Sequence, residues 1–274
     1  MKVTDLSCVQ GFIRTCTDGW LQGWHERNGG NMTYRMKDEE VDAVRSELVP
    51  SGDWVDMGVT GKNLAGAYFL TTGSGKFFRN VELAPEENIG IVEINSQGDS
   101  WRIVWGLENG AKPTSEFPSH FMNHSVRAAV TGGTDRVIYH CHAINLIALS
   151  SVLPLTDRDF SRVLWKSMTE CPVVFPEGVG VVPWMVPGGA EIALASCEKM
   201  KIYQAVIWAQ HGLFVTGPDF DTAFGLAHTI EKSAEIYWKT LANGQPILQS
   251  ITDEGLRAVA DAFHVQLREE FLDS

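Results

Sequence analysis

The chain has little of what would place it in a membrane, on nucleic acid or in an oxidising compartment. No uncharged apolar run approaches the ~18 residues that a membrane-spanning helix needs, so no span is expected. The opening residues, Met1-Lys2-Val3-Thr4-Asp5, lead into no long apolar stretch, so no secretory signal is expected. Basic residues are the minority: 22 Lys and Arg against 34 Asp and Glu leave a formal charge of −12. Nucleic acid needs clustered cations along its phosphates, so it is excluded as the main partner. A small anion is not excluded, because it needs only a few local donors. The five cysteines, Cys8, Cys16, Cys141, Cys171 and Cys197, include no CxxC pair. That excludes a zinc ribbon and a thioredoxin-type site, and the odd, scattered set fits reduced thiols in the cytoplasm. No internal repeat, low-complexity tract or Pro/Ser linker interrupts the sequence, so one domain over 1–274 is expected.

What is present is enough for a sizeable core: 44% hydrophobic residues and nine Trp, which need depth or an interface. Leu6, Val9, Phe12, Ile13, Cys16, Trp20, Leu21 and Trp24 recur mostly at steps of three and four, which predicts an amphipathic helix over 4–24. Asn28-Gly29-Gly30-Asn31 then breaks the chain, with glycines that allow a tight turn or close approach of a ligand. Residues 31–36 and 67–72 read as strands, and 37–66 as surface loops with short strands. Residues 88–94 and 101–105 flank a Ser-Gln-Gly-Asp turn and read as an antiparallel hairpin. Helices are predicted over 143–153, 157–168, 188–200, 219–242 and 252–272, and strands over 178–182 and 205–208. The mixture predicts an α/β or α+β sandwich whose sheet is at least partly antiparallel.

Gly73-Ser74-Gly75-Lys76-Phe77-Phe78-Arg79 is neither common phosphate loop. Leu70 stands where the first Walker glycine belongs, and Phe77 where its Ser or Thr belongs. Phe78 stands where the third glycine of a dinucleotide fingerprint belongs. A simpler anion nest is left, with Lys76 and Arg79 nearby. Thr114 and Ser115 are placed to cap a helix running through His120 and His124, whose N-terminus favours phosphate. Glu116 falls in the first turn, where complementation of the helix dipole also accounts for it. Glu170 sits at a junction between elements and reads by itself as a solvated carboxylate.

The densest chemistry lies in 136–146, a buried strand that ends in His140-Cys141-His142 and turns into a helix. Residues i and i+2 of a strand share a face, so both imidazoles converge while Cys141 points away. His211 follows another apolar strand-like run and is the best third ligand. Three neutral imidazoles with one open position are the ligand set of a catalytic zinc rather than a structural one. His120 and His124, at i and i+4, form a rival pair, without a base like that of HExxH beside them. The bland reading of each is an ordinary core or surface histidine.

Taken in order, Asn28–Asn31, Thr72–Asn80, Pro113–Glu116, His140–His142, Thr169–Cys171 and Gln210–Gly212 resemble the zinc-dependent class II sugar-phosphate aldolases. The resemblance runs nearly end to end and is weakest over 37–66. It implies a single-domain α/β/α sandwich: a central, mainly antiparallel sheet with helices on both faces. It implies a homotetramer with active sites at subunit interfaces, and one zinc per subunit held by His140, His142 and His211. The phosphate of a sugar-phosphate substrate would lie among Asn28, Gly30, Asn31, Ser74, Gly75, Thr114 and Ser115. Glu116 would be the main acid/base, and Glu170 a second carboxylate acting near the aldehyde end, with a contribution across a subunit interface left open. The activity implied is reversible retro-aldol cleavage of a 6-deoxyketose 1-phosphate to dihydroxyacetone phosphate and a hydroxyaldehyde. Rival branches cleave a stereoisomer, epimerise a ketopentose phosphate or dehydrate a thiosugar phosphate; the epimerases carry Asp where Glu116 stands. The adducin head resembles the fold without catalysis, and that reading predicts loss of histidines that are all present here.

Overall fold

In the computed structural model, which describes residues 1–273, one nine-stranded sheet runs through the chain. The order opens with α1 (Ser7–Leu21), β1 (Asn31–Arg35), α2 (Asp38–Ala43), β2 (Ser51–Asp56), β3 (Tyr68–Thr72) and α3 (Pro85–Asn88). The hairpin β4 (Ile89–Ile94) and β5 (Ser100–Gly106) leads to α4 (Phe117–Thr131) and β6 (Val137–Cys141). Then come α5 (Ile144–Leu149), α6 (Asp157–Ser167), α7 (Cys171–Val174), β7 (Gly180–Val182) and α8 (Ala190–Met200). The chain closes with β8 (Ala205–Trp208), β9 (Gly212–Gly217), α9 (Phe220–Ala242) and α10 (Asp253–Phe263). Across the sheet the strands lie β2-β5-β4-β3-β1-β6-β9-β8-β7, and only β7 and β8 run parallel. The mainly antiparallel α/β sandwich expected from the resemblance is the fold observed.

The two-residue period of the strands sorts the layers. Met32 and Tyr34 of β1, Tyr139 and Cys141 of β6 and Leu213 and Val215 of β9 enter the large core under α1, α5, α6 and α9. Ile138, Val206, Trp208 and Phe214 point the other way, onto α8. Thr33 and His140 share that second face, and α4 lies over it. A buried ion pair joins the elements there. Arg127 of α4 lies 2.8 Å from Asp135 ahead of β6, and it also donates to the carbonyl of Met200 at the end of α8.

Several element limits differ from the periodicity. The first helix starts at Ser7, after a 3-10 turn over Val3–Asp5, and stops at Leu21, because Gly23 turns at φ +78°. Residues 37–66 hold a helix, α2, as well as the strand β2. The helix after the histidines ends at Leu149, where Ser150 donates its hydroxyl to the carbonyl of Ile147. The last helix ends at Phe263, since His264 adopts a left-handed conformation at φ 55°. Among the described residues no helix is long and apolar enough to cross a membrane.

Candidate active site

Antiparallel pairing of β1 with β6 sets Asn31 opposite His140. The N-terminal end of one strand and its glycine turn therefore meet the C-terminal end of the other. β8 and β9 supply the third side through the turn between them. There Gln210 takes φ +55°, and its amide and side chain are pinned on Ser150 at 2.8 and 2.6 Å. That turn carries His211. A Cβ on Gly212 would lie 2.4 Å from the carbonyl oxygen of Cys141, so only glycine lets β9 begin this close to the end of β6.

His140, His142 and His211 each offer a ring nitrogen within 4.8 Å of the other two. The outer nitrogens decide which face inward. His140 donates Nδ1–H to the carbonyl of Leu213 at 3.0 Å, and His142 donates Nδ1–H to the Glu26 carboxylate at 2.6 Å. Both Nε2 lone pairs are thus left for a metal, with the outer hydrogen bonds that ligating imidazoles usually have. His140 Nε2 lies 3.3 Å from His211 Nε2, close to the ~3.3 Å edge expected between two nitrogens ~2.0–2.1 Å from one tetrahedral ion. Burial and the neighbouring imidazoles hold His140 well below the ordinary imidazole value, and burial with His142 brings His211 down to about 4. Neutral imidazoles are what a divalent metal binds, so the donor set fits one. The rival pair does not form a site: His120 and His124 are buried on α4, and both bond to the hydroxyl of Thr33.

One cavity of about 210 Å³ joins these ligands to nearly every other residue singled out in the sequence. Asn28, Gly30 and Asn31 line one wall, Ser74 and Gly75 a second, and Thr114, Ser115 and Glu116 a third. The last two walls are tied together by backbone bonds from Ser74 to Lys112 (2.8 Å) and from Thr114 to Thr72 (2.8 Å). Gly30 has φ +75°, and a Cβ there would meet His25 Nδ1 at 2.4 Å. His25 holds this turn by donating Nδ1–H to the carbonyl of Gly29, while its Nε2 accepts from Tyr139 at 2.7 Å. Burial brings His25 down to about 3, so it stays neutral in that role. The cavity lining contains no Lys or Arg. Lys76 lies outside it, and Arg79 instead sits over the ring of Trp20.

Glu116 is 9% exposed and is the residue before α4 rather than part of its first turn. The expected cap is also different. Thr114 accepts from the Glu116 amide at 3.3 Å, one residue ahead of the helix, and neither Thr114 nor Ser115 caps α4. Burial raises the Glu116 carboxyl above its ordinary value, opposed by a 2.9 Å hydrogen bond from the Asn31 side chain and by His142. Glu170 is exposed ahead of α7 and does not line the cavity of its own chain. Sequence reasoning did not find Glu26, His25 or Pro187, which also belong to this region. The only signal for Glu26 was its place two residues before the Asn-Gly-Gly turn. A larger groove of about 410 Å³, between α6 and α9, has its Arg162 and Lys166 already paired with Asp253.

Residues 10–238 match the family described as Class II Aldolase and Adducin N-terminal domain. Among curated proteins, the chain is 50% identical to a rhamnulose-1-phosphate aldolase of Pectobacterium atrosepticum over 94% of this chain and 93% of that one. It is 46% identical to a rhamnulose-1-phosphate aldolase of Klebsiella pneumoniae over 99% and 98% of the two chains. Among solved structures, a sugar-phosphate aldolase from Thermotoga maritima aligns with a TM-score of 0.71 at 28% identity, covering 86% of this chain and 95% of that one.

Proposed function

The chain belongs to the class II aldolase and adducin N-terminal domain family, and from that premise we propose that it cleaves L-rhamnulose 1-phosphate. The products are dihydroxyacetone phosphate and L-lactaldehyde, and the reaction is reversible. The observation that carries this reading is the meeting of the three histidines, Glu116 and an uncharged polar cradle in one cavity. The near full-length relatives named for this reaction support the choice of substrate.

Asn28, Gly30, Ser74, Gly75, Thr114 and Ser115 bind the phosphate through amide and hydroxyl donors, without a Lys or Arg. That remote contact positions the reacting carbons. His140, His142 and His211 hold one divalent ion, which we assign as zinc. When bound, the ion supplies a fixed positive charge where negative charge develops on the ketose oxygens. Cleavage needs removal of the C4 hydroxyl proton, rupture of the C3–C4 bond and protonation of C3. Glu116 carries the acid/base work on the dihydroxyacetone phosphate side, where its depth in the cavity excludes water. Glu170, exposed on its own chain, acts near the aldehyde end of a neighbouring subunit's site in a homotetramer, taking the C4 hydroxyl proton there while Glu116 gives one to C3. The five free thiols fit a reducing cytoplasm.

The test is release of dihydroxyacetone phosphate from L-rhamnulose 1-phosphate and, separately, from L-fuculose 1-phosphate, with and without chelator. Chelator-sensitive release that is faster from the rhamnulose sugar is expected. Faster release from the fuculose sugar overturns the substrate; release that survives metal removal overturns the role of the three histidines.

A further inference from the structure

Behind Glu116 runs a line of buried polar side chains with no exit to solvent. Asn31 donates from Nδ2 to Glu116 Oε2 at 2.9 Å, and its Oδ1 contacts His120 Nε2. His120 Nδ1 lies 2.8 Å from Thr33 Oγ1, and His124 Nε2 lies 2.8 Å from the same hydroxyl. His120, His124 and Thr33 are at most 1% exposed. Burial keeps both imidazoles neutral, well below their ordinary value for His124 and at about 3 for His120.

The direction of each bond follows from donor and acceptor chemistry. An ionised carboxylate only accepts, so the Asn31 amide must turn its NH2 toward Glu116 and its oxygen toward His120. His120 must then carry its proton on Nε2, and its Nδ1 accepts from the Thr33 hydroxyl. Thr33 has one proton, so its oxygen accepts from Nε2–H of His124. Every donor in the row points toward Glu116. In the other tautomer, His120 would present a lone pair to the Asn31 oxygen. The amide would then be driven to flip, and its oxygen would face the carboxylate.

We propose that Thr33, His120 and His124 are positioning residues for Glu116, setting the orientation of the Asn31 amide so that it holds the carboxylate as a hydrogen-bond acceptor in the cavity. None of the three lines the cavity. Asn31 is accordingly committed to Glu116 and His120, with one remaining N–H for a ligand. The titratable groups that share the cavity with Glu116 are His140, His142 and His211. The inference rests on the acid/base reading of Glu116.

Thr33→Val removes the hydroxyl at nearly constant shape, and Thr33→Ser keeps it. With metal-loaded, full-length protein, Thr33→Val is expected to lower kcat roughly tenfold, with KM and bound metal unchanged, since a misplaced acid/base costs part of the ~10²- to 10⁴-fold that such a group contributes. Thr33→Ser is expected to restore kcat. In a Glu116→Gln background, Thr33→Val should have no further effect, because both changes act on one group. Wild-type kcat in Thr33→Val overturns the proposal. So does an equal loss of kcat, metal and KM, or a Thr33→Ser variant that behaves like valine. Ordinary turnover in Glu116→Gln overturns the acid/base reading and the proposal together. An inactive Glu116→Gln beside a normal Thr33→Val overturns the positioning role alone.

Discussion

Two carboxylates show how differently a residue's surroundings can use the same group. Glu116 is buried, and burial raises its carboxyl against the Asn31 donor and His142. In the addition direction it is the base that takes the proton from the dihydroxyacetone phosphate carbon and must be ionised, so kcat/KM for aldol addition should rise with pH through that raised value. The acid limb is expected above the ordinary glutamate pKa of about 4.3, and a limb at or below it would contradict the assignment. Glu116→Gln should retain metal and fold while losing roughly 10²- to 10⁴-fold in turnover, read by the release assay and metal analysis. Glu26 is exposed, and its effect is directional: it fixes His142 with Nε2 inward. Glu26→Gln is expected to weaken metal binding about tenfold or more in a chelator competition, with the melting temperature of metal-free protein unchanged. Equal metal affinity in wild type and variant would remove Glu26 from the site.

Among the elements, strand register does the assembling. Pairing of Asn31 with His140 aligns β1 and β6 so that the glycine turn faces the histidine strand. A slip of one residue in β1 would turn Thr33 into the opposite core and dismantle the row behind Glu116, and the same slip in β6 would turn His140 out of the ligand set. The hairpin and the paired histidines were legible in the sequence because both depend on local spacing. The cap of α4 was not. Thr114 and Ser115 have the composition of capping residues, but Thr114 is held by backbone pairing to Thr72, two residues before the cap position that Glu116 occupies. At the far end of the chain, α10 is tied to α6 through Asp253, which lies 3.0 Å from Arg162 and 2.5 Å from Lys166. Burial there works against the charged form, but Lys166, the Asp273 amide and Arg162 outweigh it and hold the carboxyl well below its usual value. A lowered carboxylate stabilises the fold above its unfolded pKa of about 3.9, and that contribution is lost as the pH falls further. Asp253→Asn should therefore cost roughly 2–4 kcal/mol at neutral pH, and the difference from wild type should shrink in acid denaturation. An unchanged midpoint in urea at pH 7 would contradict it.

For the whole molecule, the exposed place of Glu170 sets the sharpest expectation. If one subunit lends Glu170 to another's cavity, two inactive proteins can repair each other. Glu116→Gln and Glu170→Gln subunits, mixed in equal amounts and reassembled, should recover roughly a quarter of wild-type turnover, from sites that pair an intact Glu116 with an intact Glu170. Recovery near zero, with mixed assembly shown by mass, would remove Glu170 from the shared site. Trp184 and Val186, 61% and 68% exposed, lie just before Pro187 of the cavity rim.

His140, His142 and His211, the Asn-Gly-Gly-Asn turn and the Gly-Ser-Gly block could be read from the chain because each carries its chemistry in a short run. The charge of −12 and the absence of a CxxC pair are likewise properties of the sequence alone. Tertiary structure decided what depends on partners far apart in sequence. Glu26 meets His142 across 116 positions, and Thr33 meets His120 and His124 across 87 and 91. No local pattern distinguishes Glu26 or Thr33 from solvated or core residues. The antiparallel register of β1 and β6, and the layer of α4 above it, place them. The same packing turned a plausible second metal pair into the neutral, buried support of a carboxylate, because Thr33 satisfies both imidazoles on a face that no solvent reaches.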